Sequence, residues 1–536
     1  MSKHRAASTA TGWLRPALLI GLAAALLLLP TSVSAQGRRA RLSQDLATRI
    51  GANTGEGACV ILPGSPAQVD TLAARYGLRV RKRLAGGALV DVPAGSLDSL
   101  AGDASVAALS GNYRLKAHMG VTNAAIGADQ LWEDGWAAGE RAVTGAGIGV
   151  AVIDSGVAEV PELRNRIVVS VDFTADTKGQ GQRVRGATDC VTSAGGVITR
   201  HGDANGHGTH VAGIIAAAGA NPHDGTRGVA PGAHIISLKV LDAEGGGFAG
   251  DVVAAVDWAI ANQAKYRIRV INMSLGGPVL QPAADDPVNQ AVERAYRAGM
   301  VVVASAGNLG KDVEGHEVFG GITVPGNSPY AVTVGALNTK GTAFRSDDEI
   351  TTYSSRGPTR FDHLVKPDLV APGNKIVGLL APGSTLAREH PELVIDTVEG
   401  KRLVLSGTSM AAAVTAGAST LFFEQSTNAS AFDVRFGLQY GAGRLPESGL
   451  VHQGAGALNA IGSLLLTSAQ HVSSTSIGGQ DVSLGGVVFA QADLAGTQAN
   501  HVVWSDHVVW SDHVVWSDHV VWSDHVVWSD TAVFGD

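Results

Sequence analysis

Hydrophobic positions along the chain fall into distinct regimes. Ala17–Leu29 is an unbroken apolar run close to the N-terminus. Between Ala58 and Leu109 short strand-like runs interleave with helical spacing. Ala58–Leu62, Leu78–Leu84, Ala88–Val92 and Ser105–Leu109 read as strands, and Ser65–Tyr76 and Gly95–Ala101 as helices. That order predicts a small β-α-β-β-α-β unit. From Gly147 the strands become continuous apolar runs, at Ile148–Ile153, His234–Val240, Val270–Ser274, Met300–Ser305 and Ala331–Val334. Continuous runs mark parallel strands covered on both faces. Helical spacing recurs at Gly208–Ala218, Asp251–Gln263, Pro287–Ala298 and Thr408–Glu424. The alternation predicts an α/β fold with a doubly wound, mainly parallel sheet, preceded by the small α+β unit.

The pattern changes again near the C-terminus. Residues 467–500, rich in Ser, Gly and Gln, read as a linker with weak strands. The hexapeptide His-Val-Val-Trp-Ser-Asp then runs five times from His501 to Asp530, leaving 531–536 as the end. An even period keeps the faces of an extended chain constant. One face would carry His, Val and Ser, and the other Val, Trp and Asp.

Composition narrows the classes. At 536 residues and 45% hydrophobic, the chain can bury a large core. The formal net charge of −8 is uneven: residues 1–35 carry +3, residues 36–118 carry +5, and the remainder carries −16. So acidic a body argues against nucleic-acid binding, which needs phosphates neutralised by Lys and Arg. Lys3, Arg5 and Arg15 precede the first apolar run, and Val33-Ser34-Ala35 offers small residues for cleavage. Residues 1–35 therefore read as a signal peptide, implying a secreted protein, extracellular or at the cell surface, with the periplasm also open. Two cysteines, Cys59 and Cys190, are too few for a disulfide framework.

Three segments carry chemistry. Val152-Ile153-Asp154-Ser155-Gly156 puts an aspartate at the end of the first buried strand. Asn205-Gly206-His207-Gly208-Thr209-His210 puts a histidine at a helix start. Ser406-Gly407-Thr408-Ser409-Met410-Ala411 does the same with a serine. Taken singly, these are an ordinary turn, a histidine pair and a capping string. Strand ends and helix starts of a parallel sheet meet at one edge, however, so the three can converge. A serine hydroxyl needs a base, an imidazole titrates near neutrality, and a carboxylate fixes its tautomer.

In the order Asp, His, Ser, these segments resemble the subtilisin-like serine peptidases, or subtilases, over about residues 120–466. Ala304-Ser305-Ala306-Gly307-Asn308 resembles the family segment whose asparagine binds the oxyanion. Ser274-Leu275-Gly276-Gly277 resembles one wall of the primary specificity pocket. Gly228–Gly232, Ser354–Pro358 and Lys366–Gly373 match recurrent family turns. The resemblance implies a secreted endopeptidase with Asp154, His207 and Ser409 catalytic, and with Asn308 and the Ser409 N–H forming the oxyanion hole. It implies substrate contact at Gly245, Gly246, Gly247, Ser274, Leu275, Gly276, Gly277, Ala304, Ser305, Ala306 and Gly307. Residues 36–118 are similar to a ferredoxin-like inhibitory prosegment, removed within Ser110–Gly120. The sequence departs from the family where Ala413 and Val414 replace a usual proline and a frequent histidine. His210 reads as structural. Residues 374–404 exceed a minimal family loop and are expected to form a lid or rim on the leaving-group side.

The domain expectation is therefore 1–35 signal peptide, 36–118 prosegment, 119–466 peptidase, 467–500 linker and 501–530 repeats. No cofactor is needed for the chemistry; structural calcium is implied by the resemblance, with no ligands identifiable. Expected partners are polypeptide substrates and the chain's own prosegment, without nucleic acid. For the repeats, glycan or cell-surface attachment, metal capture through Asp-His pairs, self-association and an inert extension all stay open. Two other classes compete. One is an idle adhesion protein on a protease scaffold. The other is an α/β-hydrolase, whose Ser, Asp, His order is wrong here.

Overall fold

The computed structural model of the protein describes residues 39–52, 57–84, 86–111, 118–137, 140–174, 196–219, 227–466 and 473–489, plus the backbone of four short strands within 503–533. The expected signal peptide, Cys190 and most of the Ser110–Gly120 junction lie outside them. The chain divides into two compact units, Met1–Leu115 and Lys116–Asp536. Among the described residues no helix is long and apolar enough to cross a membrane.

The first unit is the expected β-α-β-β-α-β sheet. Ala108–Gly111, Ala58–Pro63, Gly87–Val92 and Arg79–Leu84 lie side by side in that order, all antiparallel. The helix Pro66–Tyr76 starts where the Ser65 side chain accepts from Gln68 N–H and ends at Gly77, whose φ of 64° is left-handed. Its Val69 and Leu72 pack with Val60, Leu62, Val90 and Leu109 in one core. The structure adds a strand, Arg41–Leu42, parallel to Ala108–Leu109, followed by the helix Gln44–Gly51. A two-residue strand carries no readable periodicity, so nothing in the pattern announced it.

The second unit is built, in chain order, from β1 (Gly149–Asp154), β2 (Ile167–Asp172), α1 (His207–Ala216), β3 (His234–Lys239), α2 (Ala249–Ala261), β4 (Ile268–Met273), α3 (Pro287–Arg297), β5 (Val301–Ser305), β6 (Ala331–Asn338), β7 (Leu369–Pro372), β8 (Ile376–Leu379), α4 (Thr385–Glu389), β9 (Val394–Thr397), β10 (Gly400–Leu405) and α5 (Thr408–Gln425). The strands β7-β6-β5-β4-β1-β3-β2 form one parallel sheet in that order. Short antiparallel strands, Glu349–Ile350 and Val197–Ile198, extend it. Alternation along β1 explains its apolar run. Val150 and Val152 enter the core shared with α1 and α5, while Ala151 and Ile153 enter the core shared with α2 and α3.

Helix α5 is buried along nearly its whole length, and Ala413 and Val414 are fully enclosed. It continues unbroken through the two positions that depart from the family pattern. Close approach fixes one glycine: a Cβ on Gly417 would lie 2.5 Å from Val229 Cβ. The chain winds outward on both sides of β1, which sits between β3 and β4. A crevice therefore opens at the carboxyl end of β1, where Asp154 stands.

Four stretches differ from the sequence reading. β2 was not anticipated, and β7 lies in a segment read as a turn. Residues 374–404 fold into a three-stranded antiparallel sheet in the order β8-β10-β9, with α4 between β8 and β9. Residues 473–489, assigned to a linker, are packed. Strands Ser474–Ile477 and Gln480–Ser483 form a hairpin turning at Gly478-Gly479, and Ile477, Val487, Val488 and Phe489 are buried. The Gly-Gly pair between short alternating runs is the hairpin signal that was available. Beyond it, Val488–Phe489 pairs antiparallel with Val503–Ser505, which lies parallel to Trp516–Ser517. Val527–Trp528 pairs antiparallel with Ala532–Val533; the other repeat residues and residues 490–502 fall outside the described residues.

Candidate active site

His207 opens α1 behind Gly206, whose φ of 105° makes the turn into the helix. Its Nδ1 lies 2.8 Å from Asp154 Oδ1 and 3.0 Å from Oδ2. Asp154 is fully buried, and its Oδ1 also accepts from Ser155 N–H. Burial pulls the imidazole pKa down, but the Asp154 charge and hydrogen bond outweigh it, so the His207 pKa stands above its ordinary value. The carboxylate acceptor fixes the tautomer with the proton on Nδ1, leaving Nε2 with the free lone pair.

A second carboxylate, which the sequence reading missed, anchors this turn. Asp203 Oδ1 accepts from Ser155 Oγ (2.9 Å) and Gly206 N–H (2.8 Å); Oδ2 accepts from Thr209 N–H (2.8 Å) and Thr209 Oγ1 (2.7 Å). Ser155 Oγ in turn accepts from Gly208 N–H at 3.0 Å. Burial raises the Asp203 pKa against these hydrogen bonds, and the Asp154 charge adds to the rise. An acid four residues before a helix-opening histidine was the only available signal. Its four bonds were not readable.

The loop before His207 is gripped from two sides. Asn205 Nδ2 donates to Ala243 O at 3.1 Å. Opposite, Thr385 N–H donates to Ala204 O at 2.8 Å and Leu386 N–H to Asn205 O at 3.1 Å. Ser384 is fully buried, and a Cβ on Gly206 would lie 2.8 Å from it. The long 374–404 segment thus reaches the turn that carries His207. His210 is enclosed too. Its Nε2 lies 3.1 Å from both Ile376 O and Leu403 O, tying α1 to β8 and β10. Burial, helped by the neighbouring His207, pushes its pKa down to about 4.

Ser409 stands in the first turn of α5, with its N–H among the amides that have no partner within the helix. Its hydroxyl donates to Ser274 O at 3.1 Å and makes no hydrogen bond to His207. Ser274 Oγ returns a bond to Ser409 O at 2.8 Å and accepts from Asn272 Nδ2 at 2.9 Å. Since β4 adjoins β1, this places the start of α5 beside the strand that ends in Asp154. Asn308 Oδ1 accepts from Thr408 N–H (3.0 Å) and Thr408 Oγ1 (3.2 Å). A backbone N–H can meet only the oxygen, so the amide nitrogen faces away from this bond; Nδ2 passes Gly407 at 3.4 Å from where a Cβ would sit.

The remaining site residues flank this centre. Ser305 Oγ donates to Leu275 O at 3.2 Å, linking the segments Ser274–Gly277 and Ala304–Gly307. Gly277 N–H and C=O are both taken by Val324. In the loop Asp242–Gly247, Gly246 N–H donates to Asp242 Oδ1 and its C=O accepts from Asp242 N–H. Among the described residues one cluster has metal-ligating side chains close together: Asp312, Glu314 and His316, within 4.8 Å donor to donor. It fits calcium poorly. One of its donors is nitrogen, and Asp312 already accepts from His316 N–H.

Comparison with known proteins converges on one family. The model of the subtilase family matches residues 145–481. Serine protease AprX of Bacillus subtilis (strain 168) is 34% identical over 354 residues, 65% of this chain and 72% of its own length. Subtilisin Savinase of Lederbergia lenta is 32% identical over 324 residues, 60% of this chain and 93% of its own. Among solved structures, the S41 psychrophilic protease aligns over 62% of this chain and 97% of its own, with 28% identity and a TM-score of 0.47.

Proposed function

This chain belongs to the subtilase family and is a serine-type endopeptidase; from that premise we propose that Asp154, His207 and Ser409 are its catalytic triad. The observation that carries the assignment is the hydrogen bond from half-buried His207 to fully buried Asp154, at the crevice where α5 presents Ser409. On substrate binding the Ser409 hydroxyl leaves Ser274 O and gives its proton to His207 Nε2 as Oγ attacks the peptide carbonyl. Hydrogen bonds in such centres tighten only in the complex. Asp154 stabilises the imidazolium that forms. The tetrahedral oxyanion takes Asn308 Nδ2–H and Ser409 N–H as donors. His207 then protonates the departing amine, and water hydrolyses the acyl-enzyme by the same route in reverse.

The finer reading follows the chain's organisation. Residues 1–35 direct export, and the unit within 36–118 acts as an inhibitory prosegment until it is cleaved. Main-chain recognition along the Gly245–Gly247 and Ser274–Gly277 segments gives broad specificity. The 374–404 segment rims the leaving-group side, supported by its two backbone bonds to Ala204 and Asn205. The repeats contact a cell surface or glycan through their tryptophans. Calcium, where it binds, is structural, and we assign it no ligands. The idle-adhesion alternative is disfavoured by serine protease relatives that cover most of the second unit.

The deciding experiment is casein hydrolysis by the secreted protein, with fluorophosphonate labelling. Activity and label at Ser409, both lost in Ser409→Ala, are expected. Undiminished hydrolysis in Ser409→Ala would sink the assignment.

A further inference from the structure

We infer that Ser384-Thr385-Leu386, at the start of α4, is a positioning element for His207, so that the 374–404 segment braces the base from outside the parallel sheet. The inference rests on the triad reading above and adds residues that act through the base. The segment is tied to α1 at both ends and in the middle. Before the helix, Thr385 N–H donates to Ala204 O at 2.8 Å and Leu386 N–H to Asn205 O at 3.1 Å. Midway, His210 Nε2 meets Ile376 O and Leu403 O, and a Cβ on Gly213 would lie 2.6 Å from Leu379 Cγ. Past the helix, the Ala218 N–H donates to Glu162 O, and the Glu162 carboxylate accepts from buried Arg402 at 2.5 Å.

How α4 begins makes this a brace. The first amides of a helix have no partner within it, and a serine before the helix ordinarily takes one with its side chain. Ser65 does so for the helix Pro66–Tyr76. Ser384 does not: its side chain caps nothing, and its Oγ is buried without a hydrogen-bond partner among the described residues. The amides of Thr385 and Leu386 go instead to the turn that carries His207. Ser384 itself stands where a side chain on Gly206 would be, 2.8 Å from that Cβ position. The bonds then run on to the base: Leu386 N–H holds Asn205 O, and Asn205 Oδ1 accepts from His207 N–H at 3.2 Å. A segment that only rimmed the cleft would need no such exchange.

The test is Thr385→Pro in the full chain, after its own processing, on a chromogenic peptide. Ser384 already holds φ −62° and ψ 153°, the extended conformation a following proline requires, and the first helical position accepts proline. The substitution therefore keeps α4 and removes the bond to Ala204 O. It is expected to lower kcat about 10²-fold with KM little changed, and to move the pH midpoint of kcat/KM downward as the Asp154 contact loosens. The charges raising the His207 pKa are Asp154 and Asp203, and His210 is its titratable neighbour. All three stay in place, so a moved midpoint reports geometry. Thr385→Val keeps the amide and should match the wild type. A folded Thr385→Pro protein with unchanged kcat, a fall in kcat with the midpoint unmoved, or an equal fall in Thr385→Val overturns the inference. Should Thr385→Pro fail to fold, Ser384→Gly decides by the same readings, because it empties the place beside Gly206 and frees the start of α4. Failure of the triad reading looks different: the wild type itself cleaves neither the peptide nor casein, and fluorophosphonate leaves Ser409 unlabelled.

Discussion

The two halves of the cleft are held in different ways. The His207 half is bonded in every direction: Asp154 on the ring, Asp203 and Ser155 under the turn, Asn205 and the 384–386 backbone around it. In the Ser409 half, the hydroxyl rests on a backbone carbonyl, and the Asn308 amide nitrogen has no bond among the described residues. Under the proposed assignment, the base must keep one tautomer and one orientation before substrate arrives, so its restraints are internal. The proposed nucleophile and oxyanion donor would meet their partners only on the substrate, so their bonding capacity stays in reserve.

The contrast can be broken most severely at Asp154. Asp154→Asn should lower kcat/KM about 10⁴-fold, because an amide can favour the wrong imidazole tautomer. The pH profile carries the same information. Only neutral His207 accepts a proton, and its pKa lies above the ordinary imidazole value. Activity should therefore rise with pH through a midpoint above about 6.5, and the residual activity of Asp154→Asn should have its midpoint moved down. A chromogenic peptide assayed across pH reads both.

On the nucleophile side, Asn308→Ala should cost about 10²–10³-fold in kcat with KM little changed, because its amide acts on the transition state. A matching rise in KM would mean that Asn308 binds ground-state substrate instead.

Acid should weaken the histidine side through His210. The unfolded imidazole takes up a proton below about 6.5, while the folded one resists until about 4. Its contribution to stability is complete above the unfolded value and is lost as pH falls through this window, about 3 kcal/mol in all. Thermal unfolding between pH 7 and 4 should show this slope, flattened in His210→Gln.

The smallest effect is expected at Asp203. An amide cannot accept all four of the bonds made there, so Asp203→Asn should misplace His207 and lower kcat by up to about 10²-fold. Leaving kcat and its pH midpoint unchanged, the substitution would show that the turn is held without it.

The site was legible where chemistry coincides with local pattern. Asp154 ends an apolar run, and His207 and Ser409 open helices, so the chain alone places each at one sheet edge. Asp203 and Ser384 were not legible. Each matters through a neighbour distant in the chain, and nothing in its own surroundings marks it. The 374–404 segment was seen to be long, but its reach to Ala204 depends on which strands β8 and β10 pair with.

The sequence by itself determined the second unit's alternation of buried strands and helices, the order of the three reactive residues, and the small sheet that precedes them, because periodicity and turn chemistry are local. Only tertiary structure decided the strand order that puts β1 at the switch point and the internal bonding of the histidine turn. Those depend on which surfaces meet, and close packing between distant segments leaves no periodic trace in the chain.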